Sequence, residues 1–125
     1  MLLRLSLLCL CALRLTAAET YDLVVYGGTS AGVIAAETLR KHAPADTITL
    51  VVDEPDAPYS RMAIPYLLIG NIDESGTYLR KSASHFDDLR IKQVKSKVTR
   101  VDAAGKTLQL DDGGSISFDK LLIAT

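Results

Sequence analysis

Cysteine is nearly absent from this chain of 125 residues. It occurs only as Cys9 and Cys11, and both lie within the first 18 residues. Residues 19–125 therefore have no thiolate nucleophile, no disulfide and no cysteine ligand for a metal. The two histidines, His42 and His85, stand apart in polar surroundings, so we expect both at the surface and expect no metal site.

The sequence also lacks an excess of positive or of negative charge. The 14 lysines and arginines nearly balance the 15 aspartates and glutamates, which leaves a net charge of −1. This balance does not favour an anionic membrane or a nucleic acid, and we expect no nucleic-acid partner. Lys92, Lys95 and Lys97 cluster on a strand-like stretch, which we interpret as a solvated face. With 48% hydrophobic and 23% charged residues, the composition is that of one small globular domain.

A hydrophobic run long enough to cross a membrane is also missing from the sequence. The leucine-rich run at residues 5–13 is too short, and Arg14 interrupts it. Arg4 before the run and the small residues Ala17 and Ala18 after it are typical of a secretory signal peptide. We therefore expect residues 1–18 to be a signal peptide and the protein to be secreted or periplasmic. An uncleaved interfacial helix or a wrongly chosen start codon is the alternative.

The most informative stretch that is present runs from residue 21 to residue 41. Its apolar run at residues 23–26 predicts a buried parallel strand, and residues 27–32 are a glycine-rich turn. A helix should follow, with an apolar face made of Ala31, Ile34, Ala35 and Leu39. A strand that enters a helix through glycines places free N–H groups at the helix N-terminus. This is an anion site, and a pyrophosphate is its usual occupant.

The glycine turn departs from the dinucleotide-binding fingerprint at one position. The fingerprint has glycine at positions corresponding to residues 27, 29 and 32, but residue 29 is threonine. Gly28 restores some of the lost room, and we expect the hydroxyls of Thr29 and Ser30 to be available to phosphate oxygens. The alternative is an ordinary helix start of an α/β protein, with Ser30 as its cap.

A second β-rich run at residues 47–52 completes a strand–helix–strand unit, whose crossover should be right-handed. Asp53 and Glu54 follow this strand directly. An acid about 20 residues beyond the glycine turn can accept hydrogen bonds from an adenosine ribose, and Asp53 has that spacing. The alternative is a solvated strand end.

The second half of the chain is mainly β in character. One further helix is expected between residues 81 and 89, with Phe86 and Leu89 on its inner side. Separate strands are expected at residues 98–101, 107–110, 116–118 and 121–125, of which the first two form a hairpin. The whole pattern predicts an α/β fold in which parallel strands are interrupted by a β-meander.

Several short motifs in this order resemble the pyridine nucleotide-disulfide oxidoreductase superfamily. They are the glycine turn, the acids with Pro55, Pro58-Tyr59-Ser60-Arg61, Ile64-Pro65-Tyr66, the strand from Val98 and the closing residues 118–125. The resemblance covers residues 21–125 and is strongest to flavoproteins of the ferredoxin reductase, NADH oxidase and nitrite reductase type. It implies a Rossmann-like FAD-binding domain with a parallel sheet and an inserted β-meander.

The resemblance also implies FAD as the cofactor and assigns residues to it by position. The pyrophosphate would lie on the turn, the ribose on Asp53 with Glu54 beside it, and Arg61 would approach the flavin nucleotide. The backbone of Val98 would lie against the adenine. The full set of assigned residues is Gly27, Gly28, Thr29, Ser30, Ala31, Gly32, Asp53, Glu54, Arg61, Val98, Ala124 and Thr125.

Position 62 departs from the thiol-dependent members of this family. Those members have a cysteine before the apolar stretch, whereas this chain has Met62. Methionine cannot form a thiolate or a disulfide, so coenzyme A disulfide and peroxidatic chemistry are excluded at this position.

The resemblance implies that the chain is the N-terminal part of a longer enzyme. In the family, the Ala-Thr pair that matches Ala124 and Thr125 is followed by a glycine, a nicotinamide-binding domain and a return segment. We expect residues 19–125 to be an incomplete FAD domain without a catalytic side chain. The complete protein would pass electrons from NAD(P)H through the flavin to an acceptor. A non-catalytic nucleotide-binding fragment and a nicotinamide-binding Rossmann enzyme are the alternatives, and the Pro58–Arg61 motif counts against the second.

Overall fold

The computed structural model describes residues 19–125, so the signal peptide predicted at residues 1–18 lies outside the described residues. The strands are β1 (Glu19–Tyr26), β2 (Ile48–Val52), β3 (Ile91–Lys95), β4 (Val98–Asp102), β5 (Thr107–Leu110) and β6 (Ser115–Ile123). The α-helices are α1 (Ser30–His42), α2 (Ile64–Leu68) and α3 (His85–Asp88), and short 3-10 helices cover Arg61–Ala63 and Glu74–Thr77. No helix within residues 19–125 is both long and apolar enough to cross a membrane.

All six strands form one sheet in the order β3-β2-β1-β6-β5-β4. The pairs β3–β2, β2–β1 and β1–β6 are parallel, whereas β6–β5 and β5–β4 are antiparallel. Only two residues join β3 to β4, although these strands lie at opposite ends of the order. The meander β4–β5 must therefore fold back across one face of the parallel strands. The predicted α/β fold with an inserted meander is confirmed.

The two faces of the parallel strands are covered differently. On one face, Leu23, Val25 and Leu50 pack against Val33 and Ala36 of α1. On the other face, residues of β1 and β2 pack against the meander in a second cluster that includes Val24, Val51, Leu108, Leu110, Ile116 and Phe118. All five residues of β2 are buried, as expected for a parallel strand that is covered on both sides.

The predicted apolar face of α1 is wrong for Ala31 and Ile34, which are exposed, whereas Leu39 packs against the core as expected. Ile34 is 56% exposed, and the buried residues of the helix are Gly32, Val33, Ala36 and Arg40. Gly32, at the start of this buried stripe, packs directly on the glycine turn. A charged residue, Arg40, completes that stripe, which periodicity of apolar residues alone does not reveal.

Arg40 is buried, with 9% of its surface exposed, and it satisfies its guanidinium with backbone oxygens. It donates hydrogen bonds of 2.7–3.2 Å to the carbonyls of Leu89, Ala43, Pro44, Asp46 and Arg90. These carbonyls belong to the connection after α1 and to the turn before β3. These bonds satisfy the buried guanidinium, as a buried charged group requires. They also fix the position of α1 between its neighbouring loops.

The strand-like stretch around Lys92 is β3, which pairs in parallel with β2 through its whole length, and Lys92, Lys95 and Lys97 are exposed as predicted. Two further predictions about elements need correction. The expected strands at residues 116–118 and 121–125 are one continuous strand, β6, because β1 pairs with it along both halves. The helix expected between residues 81 and 89 is shorter, at His85–Asp88, although Phe86 is buried as expected.

His42 is exposed, but His85 is not an isolated surface residue. Its Nε2 lies 2.8 Å from Glu37 Oε1, and Arg80 donates two hydrogen bonds of 2.6 Å to the same carboxylate. The bidentate Arg80 bond is the main cause that lowers the pKa of Glu37, and the His85 bond adds to it. The cluster joins α1 to Arg80, in the segment before α3, and to His85, the first residue of α3, across separations of more than 40 residues.

Candidate functional site

A cavity of about 430 Å³ lies at the carboxyl ends of β1 and β2, where the glycine turn meets the loop after β2. Ligands of open α/β sheets bind at this edge, and the volume is in the usual range of ligand sites. Nine of the residues assigned from the sequence line it: Gly27, Gly28, Thr29, Ser30, Ala31, Asp53, Glu54, Arg61 and Thr125. The structure therefore brings most of the predicted site residues together.

Gly27 and Gly32 are required by the shape of the turn. Gly27 has a φ of +133°, and a Cβ there would lie 2.2 Å from the carbonyl oxygen of Ala124. A Cβ on Gly32 would lie 1.9 Å from the carbonyl oxygen of Gly27. Both contacts are with backbone, which cannot move aside as a side chain can. Gly32 thus packs α1 against the end of β1, and this contact, not the cavity lining, is its role in the fold.

Gly28 differs from Gly27 and Gly32 because its close contact is with a side chain. A Cβ there would lie 2.7 Å from the Cγ1 atom of Val52, the last residue of β2. The turn therefore lies directly on the end of β2, immediately before Asp53. This contact explains why the turn and the acidic loop share one cavity.

Thr29, and not Ser30, occupies the N-cap position of α1. Its backbone carbonyl accepts a hydrogen bond of 3.0 Å from Val33, but its side chain makes no capping bond. The hydroxyl instead donates to the carbonyl oxygen of Ala124, at 2.8 Å. The expectation that this hydroxyl is available to a phosphate is wrong for the structure described, because it is already used.

Asp53 and Glu54 follow β2 as predicted, and they differ in their contacts. Asp53 is exposed at the cavity, whereas Glu54 accepts a hydrogen bond of 2.9 Å from Arg61. The pKa of Glu54 is lowered, first by the hydrogen bond from the Tyr59 hydroxyl and then by the one from Arg61. The side chain of Arg61 is 69% exposed, so this pair lies at the mouth of the cavity.

The loop that carries Arg61 is held by backbone bonds to a later segment. Tyr59 forms an isolated antiparallel bridge with Tyr78, and the Pro58 carbonyl accepts a hydrogen bond of 2.9 Å from Leu79. Ser60 donates its N–H to the Thr77 carbonyl at 2.8 Å. These bonds place the proline-tyrosine-arginine motif against the cavity. In contrast, α2, which follows it, buries none of its five residues.

Three of the assigned residues do not line the cavity. Val98 begins β4 and packs against the second core cluster beside the meander, so it does not line this cavity, and the expectation that its backbone lies against the adenine stays a prediction. Ala124 lies beneath the turn, where its carbonyl contacts the position of a Gly27 side chain and accepts the Thr29 bond. Gly32 packs behind the turn. Sequence position alone could not separate a residue in the lining from one that supports it.

Other cavity residues were not assigned from the sequence. Val52, Asp56, Ala57, Pro58, Tyr59, Ser60 and Met62 also line the cavity. Most of them lie between Asp53 and Arg61 in the sequence, so their closeness to these two assigned residues could have identified them. Met62 is 85% exposed.

The fold and this site define the class of protein, a dinucleotide-binding α/β domain. Residues 21–125 match the family described as pyridine nucleotide-disulphide oxidoreductase, and the chain belongs to this family. The members of the family bind FAD, and FAD is therefore the cofactor of this chain.

Individual relatives agree with this family. The chain is 36% identical over 105 residues to rhodocoxin reductase of Rhodococcus erythropolis, covering 83% of this chain and 25% of the relative. It is 31% identical over 103 residues to the ferredoxin--NAD(+) reductase component of the p-cumate 2,3-dioxygenase system of Pseudomonas putida, covering 82% and 26%. The chain therefore spans about a quarter of the length of these curated relatives.

A solved structure shows the same fold. NADH:rubredoxin oxidoreductase from Clostridium acetobutylicum superposes with a TM-score of 0.78 at 23% identity. The superposition covers 86% of this chain and 28% of that one.

The residues present fit the family's dinucleotide. The turn, whose shape requires glycine at residues 27 and 32, lines the cavity with residues 27–31. The first turn of α1 has no side-chain cap, which leaves its N–H groups to an anion. Asp53 lies at the same cavity and can accept hydrogen bonds from ribose hydroxyls.

Proposed function

We propose that this chain is the FAD-binding part of an oxidoreductase that moves electrons between NAD(P)H and a ferredoxin-type acceptor. The observation that carries the proposal is the cavity at the ends of β1 and β2, where a turn that requires glycine meets an acidic loop. The printed function of a relative, a ferredoxin--NAD(+) reductase component, supports the nicotinamide and the acceptor class.

Different residues would bind different parts of the cofactor. Backbone N–H groups of residues 27–32 would bind the pyrophosphate, and the α1 dipole favours negative charge there. Asp53 would accept hydrogen bonds from the adenosine ribose, with Glu54 as its neighbour. Arg61 would contribute a positive charge at the mouth, where Glu54 holds it in place at 2.9 Å.

The chain supplies binding and orientation, and the bound flavin would supply the electron-transfer chemistry. No cysteine is present in residues 19–125, so a thiol cannot take part from this part of the chain. Met62 at the corresponding position contributes an apolar surface to the cavity lining. We therefore assign binding roles, and no catalytic role, to the side chains of this site.

Flavin retention and turnover together test the proposal. A protein that contains this chain together with the rest of the enzyme should show the visible absorption of bound flavin and oxidise NADH with a dye acceptor, whereas residues 19–125 alone should show no NADH oxidation. Flavin retention without turnover would support the alternative, a non-catalytic nucleotide-binding fragment. Absence of flavin binding after incubation with excess FAD would contradict the proposed site.

We also propose that the protein is exported, from the signal-like sequence at residues 1–18. Expression with and without these residues, followed by N-terminal sequencing of the extracytoplasmic fraction, tests this. A mature chain that begins near Glu19 is expected, and a chain that remains in the cytoplasm with Met1 intact would contradict export.

A further inference from the structure

Thr29 occupies the position at which the dinucleotide-binding fingerprint has its middle glycine. Its backbone is extended, with φ at −75° and ψ at 171°, a conformation that any residue can adopt. The turn therefore does not need glycine here, in contrast to Gly27 with its φ of +133°. The effect of threonine depends on where its side chain goes.

The Thr29 hydroxyl connects two parts of the chain that are 95 residues apart. It donates to the carbonyl oxygen of Ala124 at 2.8 Å, just after β6 ends at Ile123. The N–H of Ala124 donates in turn to the carbonyl of Tyr26, at 2.8 Å. The same Ala124 carbonyl is the group that approaches Gly27 most closely. One residue after the end of β6, Ala124, is thus held through its N–H by the end of β1 and through its carbonyl by the glycine turn.

This bond also affects the first turn of α1. A threonine at an N-cap normally accepts a hydrogen bond from the N–H of the second or third helical residue. Here those residues are Ala31 and Gly32, and the Thr29 side chain makes no such bond. Because the hydroxyl is directed to Ala124, the helix N–H groups are not taken up by their own cap. They are the groups that the proposed function assigns to a pyrophosphate.

We propose that Thr29 is a positioning residue for pyrophosphate binding. By donating to Ala124, it ties the glycine turn to the end of β6 and leaves the first N–H groups of α1 to the ligand. The inference rests on the proposed function. The inference predicts the opposite of what the fingerprint suggests. Glycine at position 29 restores the fingerprint pattern but weakens the binding of the pyrophosphate.

Three substitutions at one position test this in the protein that carries the whole chain. T29S keeps the hydroxyl, T29V keeps the shape without it, and T29G restores the fingerprint. Dissociation constants are measured for FAD, ADP and adenosine. T29S should match the wild type within about twofold, whereas T29V and T29G should bind FAD and ADP about 3- to 10-fold more weakly, as the loss of one hydrogen bond predicts. Adenosine, which lacks the diphosphate, should bind all four proteins equally.

A control separates this effect from the loss of any threonine hydrogen bond. Thr99 donates to the Gln109 carbonyl at 3.1 Å in the meander, outside the cavity. T99V should leave all three dissociation constants unchanged. Melting temperatures of every variant show whether a loss of binding reflects unfolding, and T29S is conservative enough to fold in any case.

The outcomes distinguish this inference from the proposed function. T29G that binds FAD as tightly as the wild type, or more tightly, would overturn the role of Thr29 and leave the proposed function intact. Equal weakening of ADP and adenosine by T29V would show a structural role only. A folded wild-type protein that binds neither FAD nor ADP would overturn both.

Discussion

The turn at residues 27–32 and the loop at residues 53–61 line the same cavity but are built in opposite ways. The turn is defined by backbone contacts that leave no room for a Cβ at Gly27 or Gly32. The loop presents charged side chains, Asp53 and Arg61, which are exposed. A backbone site tolerates almost no substitution, whereas a side-chain site loses one contact at a time. The two regions should therefore respond to mutation on different scales.

The largest effect is expected for Gly27→Val in the turn. The side chain would meet the Ala124 carbonyl, and valine is strained at a φ of +133°. Flavin retention, measured by absorption after gel filtration, should be abolished. Gly113→Val is the control, because Gly113 also has a positive φ, +84°, but has open space around it and lies outside the cavity. A Gly27→Val protein that retains FAD as well as wild type would show that the turn is not the site.

Asp53→Ala should have the next largest effect. A carboxylate that accepts hydrogen bonds from ribose hydroxyls contributes roughly 1.5–3 kcal/mol for each charge-assisted bond. We expect FAD affinity to fall by about one to two orders of magnitude, measured by fluorescence titration. Asp87→Ala, an exposed acid on α3, is the control and should have no effect. If Asp53→Ala binds FAD normally, the ribose contact belongs to Glu54 or does not exist.

Glu37 gives a prediction for stability, away from the cavity. Its side chain is only 16% exposed and pairs with Arg80, so Glu37→Gln should cost about 1–2 kcal/mol of folding free energy. The pKa of Glu37 is lowered in the folded state, so its contribution is fully present above its usual value of 4.5 and is lost as the pH falls through the lowered pKa. Chemical denaturation at several pH values measures this. Glu37→Gln should show a weaker loss of stability below pH 4.5 than the wild type, and an equal loss would contradict the assignment.

The smallest effect is expected for Glu54→Gln on folding. This acid also pairs with an arginine, but the Arg61 and Glu54 side chains are 69% and 40% exposed. Exposed ion pairs contribute little, so the free energy of unfolding should change by less than about 0.5 kcal/mol. Denaturation together with FAD titration provides the measurement. A loss of FAD affinity larger than that of Asp53→Ala would exchange the roles of the two acids.

Sequence reasoning succeeded where neighbouring residues decide the structure. The strand, turn and helix that begin at residue 21, and β2 with the acids after it, depend on short-range patterns of apolar residues and glycine. Gly27 and Gly32 belong to the predicted turn, and the structure shows that both are positions of close backbone contact. The motif from Pro58 to Arg61 also reached the predicted cavity.

Prediction from the sequence failed where a residue far away in the chain decides the local structure. The buried stripe of α1 includes Arg40, whose partners include Leu89 and Arg90, about 50 residues away. The residues of β6 form one strand because β1 pairs with both halves. His85 is half-buried because Glu37 lies beside it in space. None of these partners can be identified from local periodicity.

The sequence by itself determined that residues 19–125 have no thiol, that a glycine turn follows a buried strand, and that acids follow the second strand. These properties depend only on residue type and on order along the chain. The tertiary structure alone decided that Thr29 donates to Ala124 and that Val98 packs against the core cluster beside the meander. Both depend on the path of β6 and of the meander. The physical reason is that a hydrogen-bond donor or an apolar side chain selects its partner by distance in space, and chain folding brings together residues far apart in sequence.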